Sequence, residues 1–383
     1  MKKNAVFAFA AAFAAAAFAG AKETADAAIA KGVAFLKTQQ QADGHFSDSN
    51  TPALTALPLW ALVAAGEAKG PEAAKAAKWV LAAQKPDGGF YTVRPPRKKR
   101  PTPLSAPSAP NGRAGKLGTG AGGPGSLSTY NTAVCLSALF ESGLAPVRAV
   151  LNARTFLAES QILDDSPMTG GFGYGRTQGP RARADLSNTG YAMDAMRRTE
   201  KLEEFRAAGE KKADLDWEAA LEYVAGMQAE DGEGKGGFVY NQQTPHGGVE
   251  TNAQGKVQLM AYGAMTYDGI LSLCYAKLDR GDPRVKSALE FASKYWSLDE
   301  NPNRGSAGLY YYYDVLSRAL SAARVDELAA PDGRKIVWRD ELAAKLASLQ
   351  RPDGSWRNDD NTHWENNATL ATCFAILSLA LCR

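Results

Sequence analysis

Four copies of a five-residue word, Gln-x-x-Asp-Gly, recur along this chain, at Gln40–Gly44, Gln84–Gly88, Gln228–Gly232 and Gln350–Gly354. Each closes an amphipathic helical stretch and leads to an aromatic residue: Phe46, Phe90, Phe238 and Trp356. A degraded fifth copy runs from Gln161 through Asp164 to Gly171 and Phe172. A unit of this size that keeps returning restricts the chain to repeat architectures. The word has the chemistry of a helix end. Gln can bond free backbone groups there, Asp-Gly turns the chain, and the aromatic anchors its return in a core.

Apolar positions recur at spacings of 3, 4 and 7 almost throughout, with no alternating strand pattern in competition, so the chain reads as all-α. Its helical stretches alternate between two kinds. Amphipathic ones cover about 24–40, 71–84, 147–160, 214–228, 282–296 and 338–350. Stretches apolar nearly all round cover about 53–66, 128–143, 187–199, 266–278, 308–320 and 367–382. A helix that is greasy on every side must be enclosed, whereas an amphipathic one keeps a wetted face. Six apolar helices ringed by six amphipathic ones satisfy both demands, and closing the ring leaves no terminal repeat to cap. The expected fold is an α/α toroid of six helical hairpins, built by residues 22–383 as one domain.

Three segments break this rhythm. In residues 1–21, Lys2 and Lys3 precede an Ala- and Phe-rich run from Ala5 to Ala19, with small residues offering cleavage after Ala19 or Ala21. This is the pattern of a signal peptide, and it predicts export to the periplasm or beyond the cell. Residues 94–127 are rich in Pro, Gly and Ser, with seven Lys/Arg and no acid. They read as a mobile loop whose basic cluster could touch an anionic surface of the cell envelope. The Gly-, Gln- and Asn-rich stretch 229–265 reads as a lid over one end of the ring. Net charge is +3, two units of it in the leader, so no global field points to nucleic acid. Cys135, Cys274, Cys373 and Cys382 match no metal-binding spacing and read as free thiols. A monomer without metal or cofactor is expected.

The repeated word occurs together with Gly170 to Tyr174, Asp185 to Thr189, Ala264 to Asp268, Gly308 to Tyr313 and Trp364-Glu365. This set resembles the repeats of squalene–hopene cyclases and protein prenyltransferase β subunits. More closely, it is similar to exported bacterial prenyltransferase/squalene-oxidase-repeat proteins, over nearly all of residues 24–383 except the 94–127 insertion. The resemblance implies a terpenoid-cyclase-like toroid whose central cavity binds or modifies an isoprenoid or other apolar ligand. It does not carry over the chemistry of the characterised enzymes. The Asp-x-Asp-Asp acid is absent, and Asp214 and Asp216 read as helix capping. Asp359 to His363 ends in His where a Mg²⁺-binding word has Asp, and reads as a turn. Of the zinc ligands of prenyltransferases, Asp268 stands in the first place, but Ile270 and Ala371 occupy the cysteine and histidine places.

Candidate functional residues are the polar and aromatic side chains at the starts of the apolar helices, where loops frame a cavity mouth. Asp268 and Glu365, if desolvated there, could act as general acids. Tyr130, Asn131, Asp185, Asn188, Tyr267, Tyr311, Tyr312, Asp314 and Trp364 are candidate binding residues. Aromatic rings around an apolar hole can stabilise a cation or stack on a sugar face. Acids and amides at these positions are equally expected as helix N-caps. Two further readings remain open: a non-catalytic binding or scaffold toroid of the cell envelope, and a carbohydrate-active α/α-barrel enzyme. The latter needs two carboxylates roughly 5–10 Å apart across a cleft, drawn from Asp185, Asp268, Asp314 and Glu365.

Overall fold

The structure is a computed structural model. It describes residues 3–47, 51–92, 127–176, 179, 182–252 and 254–383, with side chains from residue 20 onward. The 94–127 insertion, apart from Leu127, lies outside the described residues, as do the side chains of most of the expected leader.

In chain order the helices are α1 (Lys3–Gln39), α2 (Ala53–Ala64), α3 (Pro71–Ala82), α4 (Ser128–Ser142), α5 (Val147–Ala158) and α6 (Leu186–Arg198). They continue with α7 (Trp217–Ala225), α8 (Gly263–Tyr275), α9 (Pro283–Lys294), α10 (Leu309–Ala322), α11 (Trp338–Leu349) and α12 (Ala368–Ala380). The even-numbered helices pack in sequence, each on the next, and α12 packs on α2. The ring is therefore closed. The odd-numbered helices lie outside it, and α1 bridges the seam by contacting α11 and α12.

Burial follows the two kinds of helix. In α9 only Val285, Ala288, Phe291 and Ala292 are buried, one stripe at helical spacing. In α12 every residue from Leu370 to Leu379 is buried. Two short hairpins were not foreseen: β1 (Val249–Thr251) pairs with β2 (Val257–Leu259), and β3 (Glu327–Ala329) with β4 (Lys335–Val337). Strands of three residues are too short to show a two-residue period.

The repeated word closes five of the six hairpins and joins each to the next. Nε2 of Gln40, Gln84, Gln161, Gln228 and Gln350 donates to a glycine carbonyl of its own loop: Gly44, Gly88, Gly170, Gly236 and Gly354. The same nitrogen donates to a carbonyl in the following outer helix or its cap: Glu72, Ala149, Asp216, Arg284 and Ala28, at 2.8–2.9 Å. In the fourth copy the clamped glycine is Gly236, because an insertion displaces the turn beyond Gly232. Gly354 has φ +84°, and a Cβ there would lie 2.5 Å from the Lys31 carbonyl, so the position demands glycine.

The aromatic after each word is then fixed by the ring. Backbone N–H groups of Phe46, Phe90, Phe172, Phe238 and Trp356 donate to hydroxyls of Thr55, Thr132, Thr189, Thr266 and Thr372, one threonine on each of five inner helices. In the remaining hairpin, α9–α10, Asn301 takes over, accepting from Ala264 N and donating to the Ala307 carbonyl.

Candidate functional site

All six inner helices begin at the same end of the ring, and there they surround a cavity of about 420 Å³. That volume lies within the roughly 300–1,000 Å³ of small-molecule sites. Eight aromatic side chains line it: Tyr130, Tyr174, Tyr191, Tyr240, Tyr262, Tyr311, Trp364 and Phe374. Ring centroids step across it at 5.5 Å from Tyr130 to Tyr191, 6.3 Å from Tyr191 to Tyr311 and 5.9 Å from Tyr311 to Phe374. Leu54, Leu127, Met265 and Leu370 add aliphatic surface. Trp364 stands at φ +62°, an unusual conformation for a side chain of its size, on the rim beside His363 and Glu365.

Of the sequence-predicted residues, Tyr130, Tyr311, Trp364 and Glu365 line this cavity. Glu365 uses its carboxylate to cap α10. Oε1 accepts from Tyr311 N at 2.8 Å, and Oε2 accepts from Tyr310 N and from Asn358 Nδ2. Burial pushes its pKa up to about 6 against these hydrogen bonds. Asp268 lies one layer below the wall. Its Oδ2 accepts from the Tyr311 hydroxyl at 2.8 Å, and that hydroxyl also lies 2.8 Å from Ser187 Oγ, which faces the cavity. Burial pushes Asp268 up to about 8, with the Tyr311 bond opposing, so the acid carries its proton at neutral pH.

The other candidates do not reach the cavity wall. Asp185 caps α6, accepting from Asn188 N at 2.8 Å and Asn188 Nδ2 at 2.7 Å, and it also bonds the side chain of Tyr240 in the cavity wall, while Asn188 Oδ1 is buried without a partner. Its burial pushes its pKa up to about 6. Asn131 is enclosed among the inner helices. Tyr267 and Tyr312 pack against each other toward α9, and the Tyr312 hydroxyl donates to the Ser297 carbonyl. Successive helix residues turn by about 100°, so the run from Tyr310 to Tyr313 can present only one ring to the cavity, and that ring is Tyr311. Asp314 points deeper into the ring. There Arg318 lies 3.4 Å from it and 2.9 Å from Asp194, while Arg198 holds the other Asp194 oxygen at 2.6 Å. The Trp60 ring packs beneath both guanidinium groups at 5.3 Å. Asp216 caps α7 through Ala219 N, and Asp214 accepts from Trp217 Nε1. Among the described residues no group of three His, Cys, Asp or Glu is placed to hold a metal ion.

Sequence reading missed Tyr174, Tyr191, Tyr240, His246, Tyr262, Arg304, His363 and Phe374. A signal existed for two of them. Tyr174 and Tyr240 each stand two residues past an anchoring Phe, and their carbonyls accept from the free N–H groups of Thr129 and Leu186 at inner-helix starts. The segment 229–265 supplies Tyr240, His246 and Tyr262 to the wall and so borders the mouth.

No protein-family model matches this sequence, and no curated protein matches it. Solved structures do. A variant of the type II terpene cyclase MstE from Scytonema, in complex with its substrate geranylgeranyl dihydroxybenzoate, aligns with TM-score 0.53 and 13% identity. That alignment covers 95% of this chain and 98% of the cyclase. The GH76 α-mannanase BT2949 from Bacteroides thetaiotaomicron aligns with TM-score 0.53 and 10% identity, over 92% of this chain and 95% of the mannanase. A glycosidase variant aligns with TM-score 0.50 and 13% identity. The chain has the all-α, terpenoid-cyclase-like α/α-toroid fold, to which the GH76 α-mannanase also aligns; likeness at this level speaks to architecture and not to activity.

Proposed function

We propose that this toroid binds an isoprenoid or similar apolar chain in its aromatic cavity and that Asp268 is its acid. The observation that supports this most is the wall itself: eight aromatic and six aliphatic side chains stand among eight polar or charged ones, and the one carboxylate, Glu365, is already committed to capping α10. A glycosidase needs a pair of carboxylates facing each other across the cleft. Asp185, Asp268 and Asp314 all lie behind the wall, so the carbohydrate reading has less support despite the mannanase likeness. Asp268 holds a proton at neutral pH and reaches the cavity through Tyr311 and Ser187. Delivery to a bound double bond turns both hydroxyls outward: the carboxyl donates to Tyr311, Tyr311 passes its own proton to Ser187, and Ser187 passes its own to the alkene, which leaves Asp268 as the carboxylate. Arene faces around such a site suit the positive charge that would follow.

Binding is read by titrating the purified protein with geranylgeraniol and, separately, with mannose oligosaccharides, following tryptophan fluorescence. Saturable quenching by the alcohol is expected in the micromolar range, weakened about tenfold by Tyr191→Ala. Saturation by the oligosaccharide with no response to the alcohol would overturn the proposal.

A further inference from the structure

One side of the mouth differs from the rest. Arg304 projects from the loop before α10 into the rim, with its guanidinium 5.9 Å from the centre of the Tyr262 ring. Nη1 donates to the His246 carbonyl at 2.8 Å, and Nη2 lies 3.3 Å from His363 Nε2. Nε is buried and has no hydrogen-bond partner. An arginine carries five N–H donors in a fixed fork, so this one holds unused donors.

Its charge is also unanswered. No carboxylate among the described residues lies within 4.0 Å of it. Glu365, the acid of the cavity wall, is tied to the α10 backbone, and Asp360 accepts from Thr362 N and Ser306 Oγ. The two neighbouring histidines do not add charge. Burial, with the nearby guanidinium, lowers His246 to about 4 and lowers His363, so both rings are neutral at pH 7. A neutral His363 presents an acceptor nitrogen to Arg304 and orients the fork. Gly308, at φ +68°, keeps room for that ring, since a Cβ there would lie 3.1 Å from it. The wall thus combines a large apolar lining with one oriented, unpaired cation at its edge.

We infer that the ligand is an anionic amphiphile: its apolar chain fills the aromatic cavity, and its carboxylate or phosphate head is held by Arg304 on the rim. This rests on the apolar-ligand reading above. It adds the head group, for which a guanidinium fork offers paired N–H donors in the geometry of carboxylate and phosphate oxygens.

Three probes with one tail separate the two readings: geranylgeraniol, geranylgeranoic acid and geranylgeranyl monophosphate, titrated into the full chain. At least one anionic probe is expected to bind about tenfold or more tighter than the alcohol, as a charge-assisted hydrogen bond supplies. Which anion gains more identifies the head group. Arg304→Gln is expected to bring that preference, read as the ratio of anion to alcohol affinity in the same protein, to within about threefold. Arg304→Lys, which keeps the charge and loses the fork, is expected to fall between them. If Arg304→Gln does not fold, raising salt in the wild type serves instead, and it narrows the gap between anion and alcohol. Equal binding of all three probes to the wild type overturns the head-group inference alone. Binding of none of them overturns the cavity reading as well.

Discussion

Replacing Asp268 with Asn gives a test whose size follows from burial. In the folded ring Asp268 keeps its proton up to about pH 8, whereas in the unfolded chain an Asp loses it near 3.8. Between those values unfolding releases a proton, so this group makes the fold less stable as pH rises. Its stabilisation is whole below pH 3.8 and is lost progressively up to about pH 8. Each pH unit of that window contributes about 1.4 kcal/mol, which sums to the order of 5 kcal/mol at full extent. Asn does not titrate. Its carbonyl can still accept from the Tyr311 hydroxyl, and its amide lies on the side of Ser272 Oγ, which is buried without a partner. Asp268→Asn is therefore expected to exceed wild type by about 2 kcal/mol at pH 5 and by about 5 kcal/mol at pH 8–9. Urea denaturation followed by circular dichroism at pH 5, 6, 7, 8 and 9 reads the difference. Asp185 and Glu365 also titrate at raised values, but they do so in both proteins and cancel. Parallel stability curves would show that Asp268 is ionised in the native state, and its role as an acid would fall with that result.

Two other outcomes follow from the hydrogen bonds of the ring. Gln350→Ala removes the bond to the Ala28 carbonyl in α1 and the bond that closes its own loop at Gly354, and is expected to cost about 1–2 kcal/mol. Hydrogen exchange should then quicken first in α1 and α12; uniform acceleration around the ring would contradict a local seam. Glu365→Gln leaves a folded protein with a weakened α10 start, down by about 1–3 kcal/mol, because a backbone N–H there meets an amide nitrogen instead of an oxygen. Unchanged melting would show that the carboxylate does not cap that helix.

The architecture was legible because it is written many times over. Gln84, Gln228 and Gln350 sit in the same word and make the same pair of bonds, and the alternation of stripe-buried with wholly buried helices told inner from outer. The threonine beneath each anchoring aromatic was equally repetitive, and Thr132, Thr189 and Thr266 each stand one turn into an inner helix. The cavity was less legible because helix starts carry polar residues for two reasons. Asp185 and Glu365 look alike in sequence, yet the first is wholly behind the wall and the second faces it while serving a cap. Tyr267 and Tyr311 differ only in which way their helix turns them, a matter of about 100° per residue that depends on the packing of neighbours. Arg304 and His363 come from irregular loops on different hairpins, and no periodic pattern brings them together.

The packing of the last hairpin on α1 has a consequence for how the molecule can be cut. Arg383 Nε lies 3.1 Å from Asp26 Oδ1, and the junction there uses the same glutamine device as the other joints. To the folded molecule, the joint between last and first hairpin is one among several, closed by side-chain and helix contacts instead of by the backbone. A short linker from Arg383 back to α1, with the chain reopened in the exposed turn around Gly66 to Gly70, would preserve every hairpin and shift only where the polymer starts.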